Sequence, residues 1–144
     1  MSRTGITDIA EIEVLAGNIC HVTIRKGSEV TLESAKRMVL LLEELTDQSI
    51  PYRAGMFDIS NIVYINEDAR NYLEANEDVR GRVTAIALIS TSDLGRIIGN
   101  LILSLVETNG NPTKLFRSPI RAEHWLRTKM AEAMAADDYR LKVA

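Results

Sequence analysis

The chain has 144 residues, the usual size of one domain and long enough to bury a hydrophobic core without disulfides. Apolar residues make up 46% and charged residues 26% of it, as in ordinary globular proteins, and the formal net charge of −3 argues against nucleic acid as a ligand. The single cysteine excludes an internal disulfide. Every apolar run is shorter than the roughly 18 residues of a membrane span. We therefore expect one cytoplasmic domain over residues 1–144.

The first elements that the sequence predicts are a β-hairpin and a helix. Apolar residues alternate in part along residues 11–27, and Gly17-Asn18 within this segment is a pair that favours a tight turn. Apolar residues then recur at helical spacing over residues 31–45, where Thr31 can serve as the N-cap. The chain is therefore expected to begin with two paired strands and an amphipathic helix.

A second strand followed by a helix comes next. Residues 51–60 have the composition of a strand, and a short loop leads from them to Asn66. Asn66 can cap a helix whose first turn contains Glu67 and Asp68. Acidic residues in a first turn suit the positive end of the helix dipole, so the sequence predicts a helix that begins at Glu67.

The middle of the chain contains the strongest signals. Residues 83–90 form a short continuous apolar run, which is typical of a central strand covered on both faces. Residues 91–108 then predict the clearest helix, and the turn-forming residues 109–112 end it. Its apolar stripe at helical spacing consists of Leu94, Ile97, Ile98, Leu101, Ile102 and Leu105.

The last predicted elements are a short strand over residues 113–117 and a helix that Ser118 caps and Pro119 begins. This helix is expected to continue into a helical C-terminal extension over residues 129–144. Strands that alternate with helices indicate substantial parallel pairing. We therefore predict an α/β fold, at the boundary with α+β, with about five strands in a single mixed sheet and about four helices.

Two parts of the sequence resemble a known family. GMFDISNIVYINEDAR (residues 55–70) is similar to the strand, loop and helix that carry an aspartate-serine-serine-glycine motif in the STAS family of bacterial anti-sigma-factor antagonists. AIALISTSDLGRIIGNLILSL (85–105) and PTKLFRSPIRAEHWL (112–126) resemble the strands and the tryptophan-bearing helix of SpoIIAA-like bacterial proteins, which are related to CRAL-TRIO domains. The resemblance covers about residues 10–128 and implies a SpoIIAA-like fold.

The resemblance also identifies the positions equivalent to the antagonists' phosphorylation switch. Asn66 takes the place of the motif's aspartate, Glu67 that of the phosphorylated serine and Asp68 that of the second serine, while Ala69 replaces the glycine. None of these side chains accepts a phosphate, and Glu67 carries a permanent negative charge. The resemblance thus implies the scaffold without the kinase-controlled switch. The two acids either complement the helix dipole or form a charged recognition point.

A second candidate face lies beside the main stripe of the helix predicted over residues 91–108. Two glycines four residues apart each cost about 1 kcal/mol relative to alanine in a helix. Close packing against the sheet explains them, and the alternative is a surface for a second subunit, another protein or an apolar ligand. This candidate partner or ligand face consists of Gly95, Arg96, Gly99, Asn100, Leu103 and Val106.

The sequence lacks the common patterns of catalytic and cofactor sites. His21 and His124 show no metal-ligand spacing, and Cys20 cannot pair with His21 because neighbours on a strand point to opposite faces. Residues 90–93 lack the glycines and lysine of a phosphate-binding loop, so their hydroxyls are expected to cap a helix. We expect no catalytic residues, no metal and no cofactor.

These observations favour a non-catalytic regulatory or protein-interaction module that works as a homodimer or with another protein. The alternative is binding of a small apolar ligand or lipid, because the related CRAL-TRIO architecture holds apolar ligands under a helix. The face from Gly95 to Val106 would then line a pocket. A chain of 144 residues leaves little structure to enclose an acyl chain.

Overall fold

The computed structural model describes residues 3–75, 83–106 and 112–143. These residues form eight strands and four helices. The strands are β1 (Arg3–Ile6), β2 (Ala10–Leu15), β3 (Ile19–Ile24), β4 (Ser28–Val30), β5 (Ala54–Asp58), β6 (Ile62–Ile65), β7 (Ala85–Ile89) and β8 (Thr113–Phe116). The helices are α1 (Leu32–Leu45), α2 (Glu67–Ala75), α3 (Asp93–Val106) and α4 (Pro119–Val143).

Six of these strands form one mixed sheet in the order β1-β2-β3-β5-β7-β8. The pairs β1-β2 and β2-β3 are antiparallel, whereas β3, β5, β7 and β8 run parallel to one another. The predicted mixed sheet is confirmed, with six strands instead of about five because β1 adds an edge strand. Strands β4 and β6, which the sequence did not predict, pair in parallel as a separate two-stranded sheet.

Local hydrogen bonds confirm the predicted helix starts. The Ser34 amide donates to Thr31 Oγ1 (3.2 Å) and the Thr31 amide donates to Ser34 Oγ (2.9 Å), so that the two residues form a capping box on α1. At α2 the Ala69 amide donates to Asn66 Oδ1 at 2.8 Å. The Ala122 amide donates to the Ser118 carbonyl at 3.1 Å at the start of α4.

The turn between β2 and β3 also follows the sequence prediction. Gly17 and Asn18 both have positive φ, at +84° and +63°, which glycine and asparagine tolerate better than other residues. The side-chain amide of Asn18 donates to the backbone carbonyls of Asp47 and Tyr52, both at 3.2 Å. The turn is thereby fixed to the segment that precedes β5.

The sheet has a hydrophobic core on each face. Helices α1, α2 and α3 pack on one face, where Met38, Ala69 and Ile98 are among the buried residues. Of the described helices, α4 alone packs on the other face. Its buried residues Ala122, Leu126 and Met130 contact inward-facing side chains of β3, β5 and β7, which are Ile19, Ala54, Met56, Ala85, Ala87 and Ile89.

Helix α4 crosses its face from the carboxyl edge of the parallel strands to their amino edge. Trp125 lies against Phe116 at the end of β8, with ring centroids 5.5 Å apart. Two residues later, Arg127 Nη1 donates to the Ala16 carbonyl at 3.0 Å, in the turn before β3. Residues 129–143 continue the helix without a break. None of the helices in the described parts of the chain combines the length and apolar character of a membrane span.

Candidate functional site

The switch-equivalent residues lie at the start of α2, directly after β6. The backbone amide of Asn66 donates to the Val30 carbonyl of β4 at 3.0 Å, and its side-chain oxygen accepts from the Ala69 amide. The backbone and the side chain of Asn66 thus both hold the junction in place. Glu67 and Asp68 are exposed in the first turn, while Ala69 is fully buried. Glu67, which the resemblance aligns with the phosphorylated serine of the STAS antagonists, is therefore exposed to solvent at a helix start that hydrogen bonds hold in place.

The strand β6 occupies the part of this junction where a loop was expected. It pairs with β4, and the register shifts between Ser28 and Glu29. Ile62 is buried, whereas Val63 and Tyr64 are each about half exposed. Two large apolar side chains thus reach solvent within a few residues of Glu67.

Hydroxyl groups join the end of β5 to the start of α3. The Thr91 amide donates to Ser60 Oγ at 3.0 Å, and Ser92 Oγ donates to the Ser60 carbonyl at 2.7 Å. Ser92 Oγ also accepts from the Gly95 amide at 3.0 Å, which makes it the cap of α3 as the sequence suggested. The hydroxyl of the fully buried Ser90 donates to the Ser92 carbonyl at 3.0 Å. These hydroxyls thus make the hydrogen bonds that hold the junction together.

Gly95 and Gly99 face this junction and not the solvent. A Cβ on Gly95 would lie 2.8 Å from the Ile59 carbonyl oxygen, and one on Gly99 would lie 3.1 Å from a Leu115 methyl group. The glycines therefore allow α3 to approach the loop after β5 and the strand β8. Among the explanations that the sequence left open, the structure gives these two glycines the close-packing role.

The other residues of the candidate partner or ligand face are divided. Leu103 is half-buried and packs against the core that α1, α2 and α3 share with the sheet. Arg96 is half-buried and Asn100 is exposed. The side chain of Val106 lies outside the described residues. Among the side chains of this face that the structure describes, Arg96 and Asn100 are thus placed where a partner could reach them.

Two residues of the apolar stripe of α3 lie outside the core. Leu94 is 48% exposed and Ile97 is 60% exposed, although Ile98 beside them is buried. The helix is apolar around more of its circumference than one sheet face can cover. The glycines face inward, so Leu94 and Ile97 are left on the uncovered side.

These exposed residues define a surface at the carboxyl edge of the sheet, where β6 lies beside α3. We refer to Val63, Tyr64, Leu94 and Ile97 as the carboxyl-edge surface. Exposed carboxylates lie on α3 and on the elements next to β6, and they belong to Asp93 of α3, to Glu67 and Asp68 at the start of α2, and to Glu29 of β4. Exposed apolar side chains with carboxylates on adjacent elements suit protein contacts better than chemistry.

A cavity of about 40 Å³ between α1 and the sheet has little room for a ligand, and Cys20, Leu42 and Phe57 are among its lining residues. Burial raises the pKa of the Cys20 thiol to about 11, so at neutral pH the group is a buried, unreactive thiol. Among residues 3–75, 83–106 and 112–143, no three His, Cys, Asp or Glu side chains group in a way that could hold a metal ion.

Comparison with known proteins places this chain in a family. The profile of a domain family described as a domain of unknown function, DUF7793, matches residues 13–130. The chain belongs to the DUF7793 family. A search of curated proteins found no match for this DUF7793 chain.

Comparison with solved structures supports the fold. The DUF7793 chain is similar to an uncharacterized protein of the DUF3478 family with a SpoIIAA-like fold from Shewanella loihica PV-4, at 16% identity over 88% of this chain and 95% of that one, with a TM-score of 0.58. A protein of unknown function from Arthrobacter sp. FB24 gives 24% identity over 81% and 97% of the two chains, with a TM-score of 0.30. The SpoIIAA-like fold is thereby confirmed, whereas membership of the STAS antagonists themselves stays a prediction.

Proposed function

We propose that this chain is a non-catalytic interaction module that binds a protein partner through the carboxyl-edge surface. The observation that carries the proposal is the orientation of α3, whose glycines face inward while Leu94 and Ile97 face solvent. A helix that served the fold alone would turn its large apolar side chains toward the sheet. The exposed pair therefore indicates a second surface that covers them.

The energy available at this surface fits a reversible complex. Fully burying one large apolar side chain contributes about 1.5–3 kcal/mol. Each of the four apolar residues is about half exposed, so a partner that covered all four would gain roughly 4 kcal/mol from them. Other contacts would have to supply the rest of a micromolar affinity, which is about 8 kcal/mol.

The surrounding carboxylates indicate the partner's charge. Glu67 and Asp68 carry negative charge beside the apolar centre, and they need no kinase to do so. A partner with basic residues around an apolar centre complements this arrangement. We infer that binding does not depend on phosphorylation at the switch-equivalent position. For the antagonists, in contrast, the family resemblance implies a serine at this position that a kinase controls.

The alternative, a protein that binds a small apolar ligand or lipid, has less support. Pockets for drug-sized ligands are about 300–1,000 Å³ and bury most of the ligand. The cavity of about 40 Å³ beneath α1 is closer to the space of one water molecule. A larger depression of about 570 Å³ along β1–β3 is open to solvent and is lined mostly by polar residues, so it would leave an apolar ligand largely exposed. In addition, the glycine face that would have lined such a pocket is filled by Ile59 and Leu115.

A comparison of matched variants tests the proposed function. The tagged chain is purified from its source cells, and the variant Leu94→Asp/Ile97→Asp is compared with the control Leu40→Asp, whose exposed apolar residue lies on α1. All three proteins are expected to melt at similar temperatures, because the substituted side chains contribute little to the core. A protein that co-purifies with the wild type and the control should be lost from the double variant. Equal recovery with all three proteins would contradict the proposal, as would an apolar small molecule bound by the wild type alone.

A further inference from the structure

The segment around the start of α4 carries a local excess of positive charge. Residues 112–130 contain five Lys or Arg residues and one Glu, although the whole chain has a net charge of −3. The basic residues of this segment that are exposed and that form no ion pair within the described parts of the chain are Lys114, Arg117 and Arg121. Cations without a counter-charge leave a positive potential at the surface, which favours an anionic partner.

An exposed apolar side chain lies among these cations. Ile120 occupies the first turn of α4 and is 83% exposed, more than the other large apolar side chains that the structure describes. Arg121 follows it, and Arg117 lies just before the Ser118 cap. The helix start therefore presents an apolar side chain between two arginines, and this composition suits a boundary between a charged and an apolar phase.

Lys114 belongs to the same side of the molecule. Its Nζ lies 5.4 Å from the centroid of the Phe116 ring, and the centroid of that ring lies 5.5 Å from the centroid of the Trp125 ring. Trp125 is one helical turn after Arg121, so the two residues share a flank of α4. Lys114 and Arg121 thus lie beside the same aromatic pair, on the flank of α4 that faces β8. We refer to Lys114, Arg117, Ile120 and Arg121 as the α4-start surface.

The acidic residues of neighbouring elements do not neutralise this surface. Glu123 pairs with Arg127 at 3.1 Å, on the flank of α4 that faces β3. Glu11 and Glu13 lie on β2, which is four strands from β8, or about 19 Å when neighbouring strands are ~4.8 Å apart. Asp93 begins α3 on the opposite face of the sheet and forms no ion pair with a described residue. Since charges are largely screened beyond about 8 Å at physiological ionic strength, the positive potential persists locally.

We propose that the α4-start surface binds reversibly to an anionic lipid surface, with the three cations at the headgroups and Ile120 inserted between them. The core of a protein interface consists of several large apolar side chains, whereas this surface has one strongly exposed apolar residue among the residues that the structure describes. A charged lipid surface needs no such core, because its negative charge is continuous and a single apolar side chain can enter the interface. This surface shares no residue with the carboxyl-edge surface, so lipid binding does not depend on the proposed function.

The expected strength of this attachment is modest. Each Lys or Arg near an anionic leaflet strengthens binding by about five-fold, and burial of the exposed part of Ile120 adds about ten-fold. The three cations and the isoleucine therefore favour the bound state by roughly 10³-fold, no more than a single acyl chain provides. Attachment at this strength is reversible and weakens as the salt concentration rises.

Co-sedimentation of the full chain with vesicles tests this attachment. The wild type is expected to bind phosphatidylcholine vesicles that contain phosphatidylglycerol, less tightly at high salt, and not to bind vesicles of phosphatidylcholine alone. Arg117→Glu/Arg121→Glu should weaken binding by at least about 25-fold. The control Arg25→Glu/Lys26→Glu changes the net charge equally at two exposed residues between β3 and β4, and it should bind like the wild type. A wild type that does not bind anionic vesicles overturns the proposal, and so does an equal loss in both double variants.

The position of Ile120 provides a second test. Ile120→Ser should weaken vesicle binding by about ten-fold, whereas Leu40→Ser, on α1, should not change it. An environment-sensitive dye on Ile120→Cys should shift to the blue on anionic vesicles and the same dye on Leu40→Cys should not, because Cys20 is buried and does not take the label. All variants should melt like the wild type, since the replaced side chains are exposed. A dye at position 120 that reports no change on bound vesicles overturns the proposal.

Two further comparisons separate lipid binding from protein binding. Leu94→Asp/Ile97→Asp, which alters the carboxyl-edge surface, should bind vesicles like the wild type, and its failure to do so would assign lipid binding to the wrong surface and overturn the proposal. A photoreactive amino acid at position 120 should give no discrete protein adduct in the source cells. Such an adduct from a chain that does not bind anionic vesicles would show an acidic protein in place of lipid, and it would overturn the proposal while leaving the proposed function standing.

Discussion

Replacing Gly95 with alanine should destabilise the folded protein, which is the opposite of the usual effect of Gly→Ala in a helix. In an ordinary helix, Gly→Ala stabilises the protein by about 1 kcal/mol. Here the new Cβ would lie 2.4 Å from Ser90 Oγ, 2.7 Å from Ser92 Oγ and 2.8 Å from the Ile59 carbonyl oxygen. All three distances are far below van der Waals contact, and the carbonyl oxygen belongs to backbone that cannot rotate away.

The expected cost follows from the hydrogen bonds that must break. Moving Ser92 removes the cap of α3, which is worth about 1 kcal/mol. Moving the buried Ser90 hydroxyl leaves polar groups without partners, at a cost of about 1–3 kcal/mol. After subtraction of the helix-propensity gain, Gly95→Ala should lower the free energy of unfolding by roughly 1–3 kcal/mol, or the melting temperature by about 3–10 °C.

Gly99→Ala is the matched control, because it lies one turn further along the same face of α3. Its Cβ would lie 3.1 Å from Leu115 Cδ1 and 3.3 Å from Ile59 Cδ1, and both are tips of flexible side chains. The stability change should therefore stay within about 1 kcal/mol of zero. Urea denaturation of the two variants measures the difference. A Gly95→Ala variant as stable as the wild type would refute the close-packing account of α3.

Three further predictions concern caps and the buried thiol. Asn66→Ala should lower stability by about 1 kcal/mol, whereas Asn66→Asp should retain it, because only the alanine removes the acceptor for the Ala69 amide. Thermal melting of the two variants measures this difference. Thr31→Ala should cost a similar amount by loss of the capping box on α1, and unchanged melting would count against that role. Burial raises the pKa of Cys20 to about 11, so the folded state favours the neutral thiol. This contribution to stability is complete below about pH 9 and is lost as the pH rises toward 11. The stability of the wild type relative to Cys20→Ala should therefore fall by roughly 2–3 kcal/mol over that interval in chemical denaturation, and a constant difference would contradict the burial argument.

The sequence predicted those parts of the fold that local patterns determine. Alternation and the Gly17-Asn18 turn predicted the hairpin, and side-chain oxygens of Thr31 and Asn66 predicted two helix starts. The missed elements have short strands with distant partners. Strand β4 has three residues, and its partner β6 lies more than thirty residues further along the chain, so no local period marks the pair.

The sequence named candidate residues on α2 and α3 but did not predict the orientation of α3. Hydrogen bonds of Thr91 and Ser92 with Ser60 join the start of α3 to the loop after β5. However, α3 carries apolar residues on several sides, and helical spacing alone cannot tell which side faces the sheet. Contacts of Gly95 and Gly99 with residues distant in sequence make that choice, and a single sequence does not contain them in any local pattern.

Site-specific photo-crosslinking tests the central claim most directly. A photoreactive amino acid is placed at Tyr64, on the carboxyl-edge surface, and in parallel at the control position Leu40, which is exposed to a similar degree on α1. After irradiation in the source cells, the account predicts a discrete protein adduct from position 64 that is absent from position 40 and that disappears when Leu94→Asp and Ile97→Asp are added. Absence of an adduct at position 64, or the same adducts from both positions, would contradict a partner-binding role for this surface.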